Sequence, residues 1–231
     1  MPTWDELFDN EAFRWREPHE RVVSFARDLK ARGAVRVLDL GCGAGRHTVY
    51  LAAQGFAVCG TDISPRGLEL SRAWLQQEGL EADLQLSDMT VIPYPDAYFD
   101  AVISTQVIHH NTLDNIRRCV AEIHRALAPG GRALLIVQSK GSHSYGKGEQ
   151  LEPDTFLRRD GEDSGLPHHY FDQAGLRELL AQFRIVTLEE LVRESQGPDG
   201  ETRLSCHWAV LAEKHGSQPA AIDKGRLPRP N

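Results

Sequence analysis

The chain has 231 residues, of which 41% are hydrophobic and 26% charged, and 33 acidic against 26 basic side chains give a formal net charge of −7. That length suits one globular domain with a sizeable core, and that composition suits a soluble protein. The acidic balance disfavours a large nucleic-acid footprint, and the most apolar run, Ala133–Val137, is far too short to span a bilayer.

In chain order, MPTWDELFDNE is acidic and lacks the basic leader and apolar run of a signal peptide. Trp4, Phe8, Phe13 and Trp15 place four aromatics in twelve residues, suited either to packing an N-terminal helix on the body or to covering a ligand cleft. Val22, Phe25, Ala26 and Leu29 then line one helix face, and Gly33 stops that helix. From Val35 the chain alternates. Strand VRVLDL leads to a helix over about Arg46–Gln54, and strand FAVCG leads to Asp62. Ser64-Pro65 then opens a helix ending near Gly79.

Strand DLQLSD, the turn-rich VIPYPDAY and strand FDAVIST follow. Thr112 can cap a helix with Ile116, Val120, Ile123 and Leu127 on one face, stopped by Pro129-Gly130-Gly131 before strand RALLIVQS. Residues 139–168 break the rhythm, being polar, glycine-rich and aperiodic, as in a functional or mobile loop. Asp172 caps a further helix, with Phe171 and Leu176 placed as a hydrophobic staple. Strands around Arg184–Val192 and Arg203–Glu213 are joined by the hairpin-like SQGPDGE, and the tail from Gly216 has few apolar residues.

Repeated β–α–β with near-continuous apolar strands predicts an α/β, doubly wound, mostly parallel sheet covered on both faces, ending in an antiparallel pair. One domain is expected over 1–215. It comprises a helical cap (1–33), a ligand-binding core (34–138), a substrate loop (139–170) and a final helix and strands (171–215). A loose tail is expected over 216–231. Cys42, Cys59, Cys119 and Cys206 lie far apart with no CxxC pair, which fits reduced thiols and a cytoplasmic location.

In such a sheet, ligands bind at the carboxyl ends of the strands. The first strand–turn–helix, VLDLGCGAGRHTVYLA, has glycines at 41, 43 and 45. A dinucleotide fingerprint needs its last glycine where Arg46 stands, and a Walker loop needs a Gly-Lys-Ser/Thr that is missing, so neither phosphate cradle fits. Asp39, two residues before Gly41, is instead placed for a ligand ammonium. Asp62, at the end of the second strand, can accept from a ribose diol. Asp88, after the third, can accept from an exocyclic amine with Met89 beside the ring.

VLDLGCGAGRHTVYLA, GTDIS, SDM, FDAVISTQVIHH and LAPGG together resemble, in order, the motifs of class I S-adenosylmethionine-dependent methyltransferases. The resemblance covers roughly 35–137 and implies a seven-stranded Rossmann-like sheet with an antiparallel last strand. It implies that Asp39, Gly41 and Gly43, with Cys42 between the glycines, hold the methionine end. Asp62 would take the ribose hydroxyls and Ile63 would pack on adenine. Asp88 with Met89 would read the amino edge, and Gln106 would lie beside the methionine moiety. The cofactor implied is S-adenosylmethionine, with S-adenosylhomocysteine as product.

Methyl transfer from a sulfonium needs alignment and exclusion of water more than a catalytic triad, and no triad is evident. Substrate contacts are expected outside the cofactor motifs. His109 and His110 follow the fourth strand, and His169 and Tyr170, beside His168, follow the long loop. His143, Tyr145 and Lys147 are weaker candidates. Two His-His pairs could ligate a metal, but no Cys, Asp or Glu stands at ligand spacing, so no metal is expected. GLPHHYFDQAGLRELL resembles the part of small-molecule methyltransferases that closes over substrate, which implies a small-molecule acceptor; a monomer or homodimer without membrane attachment is expected, though no motif selects between the two oligomeric states. STQVIHH with LAPGG also resembles tRNA wobble-uridine methyltransferases, but only in the generic core, and no lysine/arginine stripe supports an RNA partner. A catalytically silent cofactor-binding protein is the non-enzyme alternative.

Overall fold

The computed structural model describes residues 3–11, 14–159, 163–196 and 200–216. Phe13 and the tail from 217 onward, both named above, lie outside the described residues. After the short helix α1 (Trp4–Asp9) and α2 (Glu20–Ala31) comes the alternating core: β1 (Arg36–Leu40), α3 (Arg46–Ala53), β2 (Ala57–Asp62), α4 (Pro65–Glu78), β3 (Asp83–Leu86), β4 (Phe99–Thr105), α5 (Leu113–Ala126) and β5 (Leu127–Gln138). It continues through β6 (Glu149–Glu152), β7 (Thr155–Leu157), β8 (Pro167–His169), α6 (Gln173–Leu179), β9 (Phe183–Gln196) and β10 (Thr202–Lys214).

Seven strands form one sheet in the order β3-β2-β1-β4-β5-β10-β9. β3 through β5 are parallel, and β10 is antiparallel to both β5 and β9. This is the doubly wound, Rossmann-like seven-stranded sheet expected above, with one detail added. The last strand does not close the edge; it inserts between β5 and β9. Alternate residues of the same strand serve opposite cores, as a sheet buried on both faces requires. Val37, Val58, Ala101 and Ile103 pack with Val22, Phe25 and Leu29 of α2, while Leu38, Cys59 and Val102 pack with Ile116, Val120 and Ile123 of α5. The edge strand β9 carries Glu189, Glu190, Arg193 and Glu194, charges that discourage edge-to-edge pairing.

Local signals act where the residues place them. The Ser64 hydroxyl accepts from the Gly67 N–H at 2.9 Å, Pro65 occupies the first helical position, and Gly79 ends α4 at φ +65°. Asp172 accepts from the Gly175 N–H at 2.8 Å, and Phe171 and Leu176 are both buried. Two expectations need correction. Pro-Gly-Gly does not separate helix from strand. β5 begins at Leu127 directly after α5, and the missing N–H of Pro129 and the positive φ of Gly130 are absorbed as a register shift against β4 between Phe99 and Ala101. The aperiodic 139–168 segment also contains a small antiparallel sheet, ordered β6-β7-β8. Its strands of three or four residues are too short to carry a periodic signal. All four cysteines are buried thiols. Among the described residues no helix is long and apolar enough to cross a membrane.

Candidate active site

The chain leaves β1 in two directions, to β2 and β3 on one side and to β4 and β5 on the other, so the carboxyl ends of β1 and β4 flank the switch point where ligands bind. A cavity of 440 Å³ opens there. The glycine turn forms its floor. Backbone N–H groups of Gly41 and Cys42 donate to the Thr61 carbonyl at 2.8 and 3.0 Å, which ties the turn to β2. Gly45, at φ +94°, would place a Cβ 2.6 Å from Ser71 Oγ, so this third glycine lets the start of α3 approach α4. Arg46, which displaced the dinucleotide reading, begins α3 and lays its guanidinium 5.0 Å from the Trp15 ring centre.

Asp62 accepts from the Gly43 N–H at 2.7 Å and the Ser64 N–H at 2.8 Å while lining the cavity. It therefore braces the turn and faces the ligand space together. Burial raises its carboxyl above the usual range, against those backbone hydrogen bonds. Ile63 lines the cavity with 52% of its surface exposed, an apolar face available to a flat ring. Asp88 is exposed at the rim, its Oδ1 accepting from the N–H and hydroxyl of Thr90, with Met89 beside it. Gly41, Cys42, Gly43 and Gln106 also line the cavity, and Gln106 adopts φ +59°. Its Nε2 lies 3.3 Å from His207 Nε2. Asp39 departs from expectation. It is only 2% exposed, lies behind the lining, and accepts from the Thr48 hydroxyl at 2.7 Å; burial pushes its carboxyl up to about 6.

The N-terminal aromatics form part of the cavity wall. Phe8 lies against the turn so closely that a Cβ on Gly43 would be 2.7 Å from its Cζ, and Trp4 and Trp15 also face the space. α1 is fastened by Asp5, which accepts from the Ser64 hydroxyl and, at 3.0 Å, from the Arg66 N–H. Sequence reading missed this contact, because Asp5 and Ser64 belong to separate elements with no shared pattern.

The far half of the cavity is rich in imidazole. His109 and His110 line it as expected, joined by His143 from the 139–168 segment and His207 from β10. Burial drives His109 far below its usual pKa, His110 to about 3 and His207 to about 4, so these rings are neutral at pH 7. His47 is buried at its edge. The His19 N–H lies 3.3 Å from its Nε2, which leaves Nδ1 to donate to Thr105 Oγ1 at 3.2 Å. His169 and Tyr170, in contrast, are not cavity residues. Tyr170 is fully buried beside Tyr145 and Phe156. His169 Nδ1 pairs with Thr155 Oγ1 at 2.7 Å, and its N–H donates to the His109 carbonyl at 2.8 Å, so it props His109 from behind. Alternation along β8 explains this: His168, not His169, faces the His110 side. Tyr145 and Lys147 also stay out of the cavity, Tyr145 donating to Asp154 at 2.7 Å.

The missing acid of the metal reading is Asp163. It lies with His110 and His168 so that one ligand atom from each falls within 4.8 Å of the others. Its position five residues before His168 was the available signal, diluted by its neighbours in RRDGED.

In comparison with known proteins, residues 38–135 match a family described as "Methyltransferase domain". A demethylmenaquinone methyltransferase of Thermus thermophilus is 34% identical over 128 residues, covering 50% of this chain and 57% of that protein. A ubiquinone biosynthesis O-methyltransferase of Methylocella silvestris is 35% identical over 118 residues, covering 49% and 44%. The chain spans about half the length of the curated relatives it matches. The structure of 1,6-didemethyltoxoflavin-N1-methyltransferase from Burkholderia thailandensis, holding its substrate and S-adenosylhomocysteine, superposes with a TM-score of 0.60 at 23% identity. It covers 84% of this chain and 78% of that one. At that identity the likeness is one of fold.

Proposed function

We propose that this chain, whose residues 38–135 match a methyltransferase-domain family and which is 34% identical over half its length to a methyltransferase, is a class I S-adenosylmethionine-dependent methyltransferase that transfers the methyl group of S-adenosylmethionine to a small organic acceptor by direct displacement. The observation that carries the reading is the convergence on one cavity of a turn braced by Asp62, the exposed Ile63 and the rim carboxylate of Asp88, with no phosphate cradle. The cofactor supplies a methyl on a sulfonium, whose leaving group is already activated.

Asp62 and the glycine turn hold the ribose and the methionine end, and Asp39 supplies negative charge behind the turn for the ammonium. Ile63, Asp88 and Met89 take the adenine. Trp4 and Phe8, with His143, Ser144, Arg158 and Asp163 of the 139–170 segment, wall the cavity and exclude water, which strengthens every polar contact inside it. His109 and His207 line the acceptor half as neutral imidazoles with His143 beside them, and a neutral imidazole can accept a proton from an acceptor that arrives protonated. The relatives named for demethylmenaquinone and ubiquinone biosynthesis support an organic acceptor of that size class.

The test has two parts. Calorimetric titration with S-adenosylmethionine should show binding that weakens about 10- to 100-fold in Asp88→Ala, the cost of ~1–3 kcal/mol for a lost charge-assisted hydrogen bond. Methyl-labelled cofactor incubated with fractionated cell extract should then label low-mass compounds. Undiminished affinity in Asp88→Ala would remove the adenine assignment, and label confined to RNA or protein would overturn the acceptor class.

A further inference from the structure

We propose that His110, Asp163 and His168 form a site for a divalent transition ion of the zinc type, with an open coordination position facing the acceptor half of the cavity. The inference goes beyond methyl transfer and stands on the geometry of these three residues alone. Their ligand atoms lie within 4.8 Å of one another. Ligand bonds of about 2.0–2.2 Å separate tetrahedral donor atoms by roughly 3.4 Å, so side-chain shifts of about an ångström close the set on an ion.

The hydrogen bonding of His168 is the first support. Its Nδ1 lies 3.0 Å from the Leu166 carbonyl and its Nε2 lies 2.8 Å from Asp163 Oδ2. A carbonyl only accepts, so Nδ1 carries a proton. Nε2 then faces a carboxylate oxygen, and an ion that displaces the proton shared by this pair finds a nitrogen and an oxygen donor already aimed at one point. A metal-bound histidine is set up this way, its second nitrogen fixed by a backbone carbonyl.

His110 supplies the second support. Its Nδ1 is buried with no hydrogen-bond partner among the described residues. Its ring is oriented from two sides, with Trp4 edge-on at 5.0 Å and His168 edge-on at 4.4 Å between ring centres. Arg158 holds the other Asp163 oxygen at 3.2 Å, which leaves Oδ2 as the ligand atom. Its positive charge limits how tightly an ion is held.

Two imidazoles and one carboxylate suit zinc, cobalt(II), nickel or iron(II), and not magnesium or calcium, which take oxygen sets. Three protein ligands leave a fourth position open, the pattern of a reactive rather than a structural site. His110 and Asp163 line the cavity and His168 backs them at 1% exposure, so the open position faces the ligand space. A small molecule with an anionic oxygen, nitrogen or sulfur could occupy it.

The experiment uses the full chain without an affinity tag, stripped with a chelator and titrated with cobalt(II) alone. One equivalent should bind with visible ligand-field bands, be displaced by one equivalent of zinc, and be unaffected by excess magnesium. His110→Gln and Asp163→Asn should each weaken binding by about tenfold or more. His124→Gln, on α5 against Phe183, should not. Circular dichroism identifies a variant that has lost its fold, and His110→Gln then decides alone. Absence of stoichiometric binding overturns the site. So does equal loss in His124→Gln, or full retention in His110→Gln. Because the probe is the ion alone, a failure here leaves the methyl-transfer reading untouched, and the reverse also holds.

Discussion

Replacing Asp39 by Asn should stabilise the protein near neutral pH while weakening its cofactor binding. Burial pushes the Asp39 carboxyl up to about 6, against an ordinary value of 3.8. The folded chain therefore keeps a proton that the unfolded chain loses over that interval. With more protons bound in the folded state, stability is fully present below the unfolded value and falls as pH rises through about 6. Two pH units at 1.36 kcal/mol each give a loss of about 3 kcal/mol by neutrality. Asparagine carries no charge, so Asp39→Asn escapes that loss.

It keeps an acceptor oxygen for the Thr48 hydroxyl, now 2.7 Å away, but adds an amide N–H₂ that costs ~1–3 kcal/mol if unpartnered. Urea unfolding should show the variant roughly 1–2 kcal/mol more stable at about pH 7.5, with the advantage gone at about pH 4.5. Calorimetry should show S-adenosylmethionine bound about tenfold or more weakly, since its ammonium loses a charged partner. A stability difference that stays constant between those pH values would refute the reasoning, because no proton would then separate the folded from the unfolded carboxyl.

Asp62→Asn should destabilise by ~1–3 kcal/mol, because an amide can accept from only one of the Gly43 and Ser64 N–H groups and presents a donor to the other; urea unfolding checks this. Phe8→Ala should release α1 from the glycine turn, which limited proteolysis would read as faster cleavage within residues 3–11, with the core protected as before. Tyr170→Phe should leave labelled methyl transfer within about twofold of the parent, since surroundings away from the reacting groups carry little of the barrier. A loss of a hundredfold would return Tyr170 to the site that the cavity lining denies it.

The half of the cavity around the glycine turn was legible because the fold converts chain order into spatial order. Each parallel strand ends at the same edge, so a residue just past β1, β2, β3 or β4 reaches the same cleft whatever the intervening helix does. Reading Gly41 and Gly43, Asp62, Asp88 and Gln106 in sequence therefore amounted to reading around the cavity. Asp39 was legible only in part, for a related reason. Its place at the strand end was legible, but which side of the turn its carboxylate would take depended on Thr48, nine residues later on α3.

The acceptor half has no such conversion rule. Its residues come from α1, from the turn after β4, from the 139–168 segment and from β10, and nothing in any one of these specifies the others. His207 is the clearest case. It lies in a strand that reads as scaffold, and it reaches Gln106 only because β10 inserts between β5 and β9 in place of closing the sheet. Asp163 likewise meets His110 only once β6-β7-β8 has formed and the His169 N–H of β8 has bonded the His109 carbonyl just past β4. Periodicity over three residues could not announce that sheet. The same physics divides the roles. On the proposed function, residues fixed by the parallel sheet would hold the cofactor, while residues brought in by insertion and by short antiparallel pieces would determine what is methylated. Acceptor choice should therefore follow changes in the 139–170 segment and β10 far more closely than changes in the glycine turn.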